Sequence, residues 1–220
     1  TAHSDVTYTA WNGTSGISYT NNTAYVYLTG NATLNSDLIV DGRTLYLCLN
    51  GKTLSSNGEK KIKVRNNARL VLCDCQGGGT FKGGGGAIAL DDKDCVFNMY
   101  GGEITKNDGN KAGGAIFRTF GSGVNQAGGT FNMYGGTIKD NKAQNGGAFY
   151  SVTASTVNLA GGTISGNQST STANNDYTGG GAIYLRGGGK LTISGTQITG
   201  NSAKKDGGAI FTGCRNFTIS

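Results

Sequence analysis

The stretch Phe97-Asn98-Met99-Tyr100-Gly101-Gly102-Glu103-Ile104-Thr105-Lys106-Asn107 returns as Phe131-Asn132-Met133-Tyr134-Gly135-Gly136-Thr137-Ile138-Lys139-Asp140-Asn141. Its two halves recur further along the chain. The first half reads Val157-Asn158-Leu159, Leu191-Thr192-Ile193 and Phe217-Thr218-Ile219. The second reads Gly162-Thr163-Ile164 and Thr196-Gln197-Ile198, followed three residues later by Asn167 and Asn201. A third element precedes them as Gly86-Ala87-Ile88, Gly113-Gly114-Ala115-Ile116, Gly146-Gly147-Ala148-Phe149, Gly180-Gly181-Ala182-Ile183 and Gly207-Gly208-Ala209-Ile210. The order is fixed and the repeat length varies from 26 to 34 residues, with all variation between elements. A coil of three short strands per turn predicts this, because stacked strands hold register while the loops between them vary freely.

Within an element the period is two. Phe97 and Met99 point one way, Asn98 and Tyr100 the other. Phe131 and Met133, Val157 and Leu159, Leu191 and Ile193, and Phe217 and Ile219 repeat the core-facing set. Stacking places like residues about 4.8 Å apart. The segments are too short for helices, and their glycine punctuation opposes helix as well. The fold expected is all-β: a right-handed single-stranded parallel β-helix, three short strands per coil.

The rest of the chain bounds this reading. Glycine contributes 40 of 220 residues and proline none, which excludes collagen. The net charge of +6 is moderate, and the basic residues are scattered. Their densest group is Lys60, Lys61, Lys63, Arg65 and Arg69. No nucleic-acid partner is expected, since such binders concentrate positive charge on one face. No apolar run is long enough to span a membrane as a helix. Residues 1–43 lack the motifs and are expected to hold an N-terminal cap and the first irregular strands. Residues 44–220 are expected to be the β-helix proper, cut within a repeat, so that the natural chain continues beyond residue 220.

Paired Gly-Gly-Ala-Ile and Ile-x-x-Asn motifs resemble the repeats of the polymorphic outer-membrane protein family, over about residues 85–220. That family has Phe where this chain has Ile104, Ile138, Ile164 and Ile198. Similar glycine-rich repeats occur in large surface proteins of other bacteria. The resemblance implies a secreted or cell-surface β-helix, frequently an adhesin, located extracellularly or at the cell surface. It specifies a fold and not a ligand.

Candidate chemistry is sparse. The cysteines are Cys48, Cys73, Cys75, Cys95 and Cys214, an odd number. Cys73-x-Cys75 lacks the spacing of a zinc knuckle, and His3 is the one imidazole, so neither a metal site nor a cofactor is expected. Stacked core thiols, or one disulfide within Cys73, Cys75 and Cys95, fit better. Glycoside hydrolysis needs two carboxylates at a defined separation. Asp91, Asp92 and Asp94 form the acidic cluster worth testing, with Asp108 from the following coil as a partner and Arg118 as the nearest lyase base. A solvated acidic turn explains the same residues.

Asn107, Asn141, Asn167 and Asn201 are expected to be structural, capping turns and bonding from coil to coil. The residues after each Ala-Ile or Ala-Phe are Phe117, Tyr150, Tyr184 and Phe211. They align as an aromatic ladder. Facing outward, it would bind a host glycan or an extracellular protein; facing inward, it would be packing. Two insertions, 118–129 and 168–178, are further candidates for partner contact. The expected function is a non-enzymatic binding and display domain of an adhesin-type surface protein. The alternatives are a carbohydrate-active β-helix enzyme and a structural spacer.

Overall fold

The computed structural model describes residues 6–109, 113–118, 127–173, 178–213 and 216–220. Every named strand pairs in parallel with the strand one coil away. A nine-stranded sheet is built from Thr9–Trp11, Thr23–Leu28, Thr44–Cys48, Arg69–Cys73, Val96–Met99, Ala127–Met133, Ala154–Leu159, Lys190–Ile193 and Asn216–Ile219. A seven-stranded sheet runs from Leu38–Asp41 to Ile210–Thr212 and contains the Gly-Gly-Ala-Ile strands. A second seven-stranded sheet runs from Ala32–Leu34 to Gln197–Thr199 and contains the strands before each ladder asparagine. The chain is a parallel β-helix with three sheet faces around one core.

Register follows the repeats. Phe97 pairs with Phe131, then Val157, Leu191 and Phe217. Ile104 pairs with Ile138, Ile164 and Ile198. The inward set is dry: Phe97, Met99, Met133, Ile104, Ile138, Val157 and Leu191 have no exposed surface. Phe97 and Phe131 stack with centroids 5.3 Å apart, and Phe131 lies 5.9 Å from Phe149 across the core. Such contacts add about 0.5–1.5 kcal/mol beyond the burial of the rings themselves.

The two motifs have separate physical causes. In each Gly-Gly pair the first glycine takes a left-handed backbone, with φ of 60° at Gly113, 61° at Gly146 and 65° at Gly180. The second has an ordinary φ but no room. A Cβ on Gly147 would lie 2.6 Å from the Gln168 backbone nitrogen, and one on Gly114 would lie 2.7 Å from that of Lys142. Close coil-to-coil approach therefore demands glycine there. In Ile-x-x-Asn, the residue just before the asparagine is again left-handed: Lys106 (55°), Asp140 (54°), Gly166 (64°) and Gly200 (61°).

Two features were not anticipated. Lys142–Ala143, Gln168–Ser169 and Ser202–Ala203 form a small fourth sheet immediately after the ladder asparagines. At the other end, Thr23–Leu28, Ala32–Leu34 and Leu38–Asp41 already occupy the three main sheets, pairing with the strands of the next coil. Trp11 is buried against this first coil, and its indole donates to the Ser15 carbonyl at 2.8 Å.

Candidate functional site

The four asparagines form one continuous hydrogen-bonded column. The Asn107 amide nitrogen donates to Asn141 Oδ1 at 2.8 Å, Asn141 to Asn167 at 2.9 Å and Asn167 to Asn201 at 2.9 Å. Oδ1 of Asn141, Asn167 and Asn201 each also accepts the backbone N–H of the preceding asparagine, at 2.9–3.1 Å. The remaining amide protons go to strand carbonyls such as Ile104 O and Ile138 O. Asn107, Asn141 and Asn167 are 0–1% exposed. Asn107 Oδ1, at the end of the column, is buried without a hydrogen-bond partner; the other side-chain groups of the column bond within the protein.

The aromatic ladder also forms. Tyr150 and Tyr184 stack at 5.2 Å, and Tyr184 and Phe211 at 5.0 Å. It points away from the core, since Ile116, Phe149 and Ile183 take the inside. Pointing away from the core does not expose it. Tyr150 is 7% exposed and Tyr184 2%, while Phe117 and Phe211 are half-buried. The glycine turns supply the cover: the site of a Cβ on Gly86 lies 2.8 Å from the Phe117 ring, and that on Gly146 lies 3.1 Å from Tyr184 Cβ. Burial, helped by Tyr184 and opposed by Arg186, pushes the Tyr150 phenol up to about 12. Lys61 sits 5.0 Å above the Phe117 ring. The middle of the ladder is thus packing, and an exposed aromatic stripe is not found along this face.

The acidic cluster is dispersed into local roles. Asp92 Oδ2 accepts the Asn66 backbone N–H at 2.6 Å, from the neighbouring coil. Asp94 lies 3.7 Å from Lys93. The Asp91 carbonyl receives Arg118 Nη1 at 2.6 Å, and Arg118 is only 3% exposed, so its guanidinium is bound to backbone rather than presented as a base. Asp108 does not join them. It lies in a shallow polar groove with Lys142, Gln144 and Thr170 to Ala173, which none of Asp91, Asp92 and Asp94 lines. That groove includes the start of the second insertion. Residues 119–126 of the first insertion and 174–177 of the second lie outside the described residues, as do His3 and Cys214.

Two members of the basic cluster pair with carboxylates of the preceding coil. Lys63 pairs with Asp37 at 2.7 Å, and Arg65 grips Asp41 with Nε and Nη2 at 2.9 and 2.7 Å. Two of the cysteines are stacked core thiols, Cys48 lying directly opposite Cys73, whereas Cys95 does not group with Cys73 and Cys75. Cys48 joins Cys73 and Cys75, with all three sulfurs within 4.8 Å of one another, while Cys95 is buried elsewhere, and its burial pushes the thiol up. The register that pairs Cys48 directly with Cys73 creates this trio.

One surface was missed. Just past the ends of two strands of the nine-stranded sheet, Tyr100 and Tyr134 stack at 4.7 Å with planes 20° apart, and they are 46% and 48% exposed. Burial, reinforced by Tyr134 and Tyr46 and opposed by Arg69, raises the Tyr100 phenol. Beside the pair runs a second amide column. Asn132 Nδ2 donates to Asn98 Oδ1 at 2.8 Å, and Asn158 Nδ2 to Asn132 Oδ1 at 2.7 Å. The next residue in the tyrosine row is Ala160, which is small and exposed. The signal was present in the sequence, as the outward residues of the repeated Phe-Asn-Met-Tyr.

Together these features define a parallel β-helix repeat protein whose outer faces carry ladders of like side chains. The repeat described as the Chlamydia polymorphic membrane protein (Chlamydia_PMP) repeat matches residues 195–213, the segment that holds Gln197-Ile198, Asn201 and Gly207-Gly208-Ala209-Ile210. This segment is similar to repeats of bacterial surface proteins of the polymorphic membrane protein type, and the match supports a cell-surface location. No curated protein and no solved structure matches the chain. Among the described residues, no helix is long and apolar enough to cross a membrane.

Proposed function

We propose that this chain is a binding and display segment of a bacterial surface protein, and that it recognises a glycan on the outer face of its nine-stranded sheet. One observation carries the reading: the stacked, half-exposed Tyr100–Tyr134 pair beside the Asn98–Asn132–Asn158 column. Tyrosine combines an apolar ring with a polar tip, the pairing that a sugar's alternating C–H and O–H surface requires. Beyond Tyr134 the row continues as the small, exposed Ala160. The β-helix holds the asparagines on strands and the tyrosines one residue past the strand ends, which limits the entropy lost on binding.

The experiment is a screen of the chain against a glycan array and a panel of host extracellular proteins. The comparison is a Tyr100→Ala/Tyr134→Ala double variant. Alanine at the buried Tyr150 or Tyr184 is a poor probe, because it would open a cavity. Glycan binding by the parent that disappears in the double variant supports the reading. Glycan binding that survives it moves recognition to another face. Binding confined to proteins changes the partner class, and binding to neither panel leaves a spacer.

A further inference from the structure

Cys48 closes the strand Thr44–Cys48, and Cys73 closes Arg69–Cys73 one coil later, directly opposite it. Cys75 follows in the turn and is exposed, whereas Cys48 and Cys73 are 2% and 4% exposed. The turn is held in place by Asp74, whose carboxylate accepts the backbone N–H groups of Gly51 and Gly79, both at 2.7 Å. This brings Cys75 Sγ to 2.8 Å from Cys48 Sγ, and the Cys75 backbone N–H points at Cys48 Sγ from 3.3 Å. The Cys73 sulfur stays within 4.8 Å of both and also lies 3.6 Å from Leu47 O and 3.9 Å from the Tyr8 hydroxyl.

Three clustered sulfurs suit either a thiophilic metal ion or a disulfide, and the spacing decides between them. Two thiolates on one tetrahedral ion, each at about 2.3 Å from it, stand about 3.8 Å apart. The Cys48–Cys75 separation is an ångström too short for that. A disulfide needs about 2.04 Å, which these sulfurs reach by closing less than 1 Å. We propose that Cys48 and Cys75 are an oxidation site: they react with a low-molecular-weight disulfide to form a bond that staples two successive coils, while Cys73 stays a thiol.

Exposure sets the order of events. Burial and Cys48 push the Cys75 thiol up to about 11, so it reacts through its minor thiolate fraction: the proton goes to solvent, and the sulfur attacks one sulfur of the external disulfide. That S–S bond breaks, and the first small thiolate leaves and is protonated. Cys48 sulfur, as thiolate, then attacks Cys75 sulfur in the mixed disulfide. The mixed S–S bond breaks and the second small thiolate leaves. Two protein thiols are oxidised and one external disulfide is reduced to two thiols. The environment suits Cys48 to the second step. Hydrogen bonding from Cys73 foremost, then from Cys75 and the backbone N–H groups of Cys75 and Asn50, outweighs burial and holds the Cys48 thiol well below its usual range. The Cys73 thiol is driven upward by Cys48 and by burial, which keeps it protonated.

The test treats the reduced full chain with glutathione disulfide, then alkylates the remaining thiols and maps them by mass. The expected parent product has lost two hydrogens and links Cys48 to Cys75, with Cys73 alkylated. Cys73→Ser retains the link. Cys48→Ser instead accumulates a glutathione adduct on Cys75, because the resolving sulfur is gone. Oxidation of the parent raises its thermal midpoint by roughly 5–10 °C, reversed by dithiothreitol. Parent protein that keeps all three thiols alkylatable overturns the proposal, as does a link through Cys73 or Cys95. Reduced protein that retains one zinc ion shielding all three thiols overturns it in favour of a metal site.

Discussion

Asn141 shows how one side chain can hold three coils together. Its Oδ1 accepts two hydrogen bonds from Asn107, and its Nδ2 donates to Ile104 O and Asn167 Oδ1. Removing it orphans buried groups on both sides, and an orphaned buried group costs more than an average hydrogen bond contributes. Asn141→Ala is expected to lose about 2–3 kcal/mol of stability, read as a lower urea midpoint at unchanged slope. An unchanged midpoint would mean that the column contributes nothing net. A second residue-scale prediction concerns alkali. The unfolded chain releases the Tyr150 proton near the ordinary value of 10, whereas burial holds it in the folded chain to about 12. Between those values the folded state binds more protons, so stability falls as pH rises from about 10 to about 12. Tyr150→Phe should shallow that decline in urea midpoints measured across the window. An identical decline in both proteins would assign it elsewhere.

At the scale of the element, the Gly-Gly-Ala-Ile strand was readable in part. Its repeat, its glycine pair and the inward isoleucine follow from sequence pattern. The burial of its aromatic neighbour does not, because alternation reports direction and not what lies opposite. Here the glycine turns leave space that Phe117 and Tyr184 fill. The cysteine trio was hidden for a related reason. Cys48 meets Cys73 only once the lengths of the early, irregular coils fix their register. The small fourth sheet has two-residue strands, too short to carry any periodicity. The Asn column and the Phe97–Met99 core face were legible because each rung repeats the same residue type at the same place. The glycine pair yields a paired test. A Cβ at Gly147 runs into backbone of the next coil, whereas one at Gly208 meets nothing within 4 Å. Gly147→Ala should cost about 2–3 kcal/mol and Gly208→Ala close to none, measured by urea unfolding. Equal effects at the two sites would show that coil contact is not what selects glycine there.

Across the whole molecule, stacked coils convert sequence repeats into surface rows. Coil-to-coil ion pairs such as Lys139–Glu103 at 2.9 Å set opposite charges of successive coils side by side. The surface repeat matched at residues 195–213 and the exposed row at Tyr100 and Tyr134 lie on one continuous β-helix. Recognition by that row is the central claim. The most direct measurement is an equilibrium titration of the best glycan from the screen against the parent and Tyr134→Ala, with circular dichroism to verify that both are folded. Loss of one ring contact of about 0.5–1.5 kcal/mol, together with the apolar area it buries, predicts affinity weaker by roughly tenfold or more. Equal affinity in two folded proteins would contradict the assignment of binding to this face.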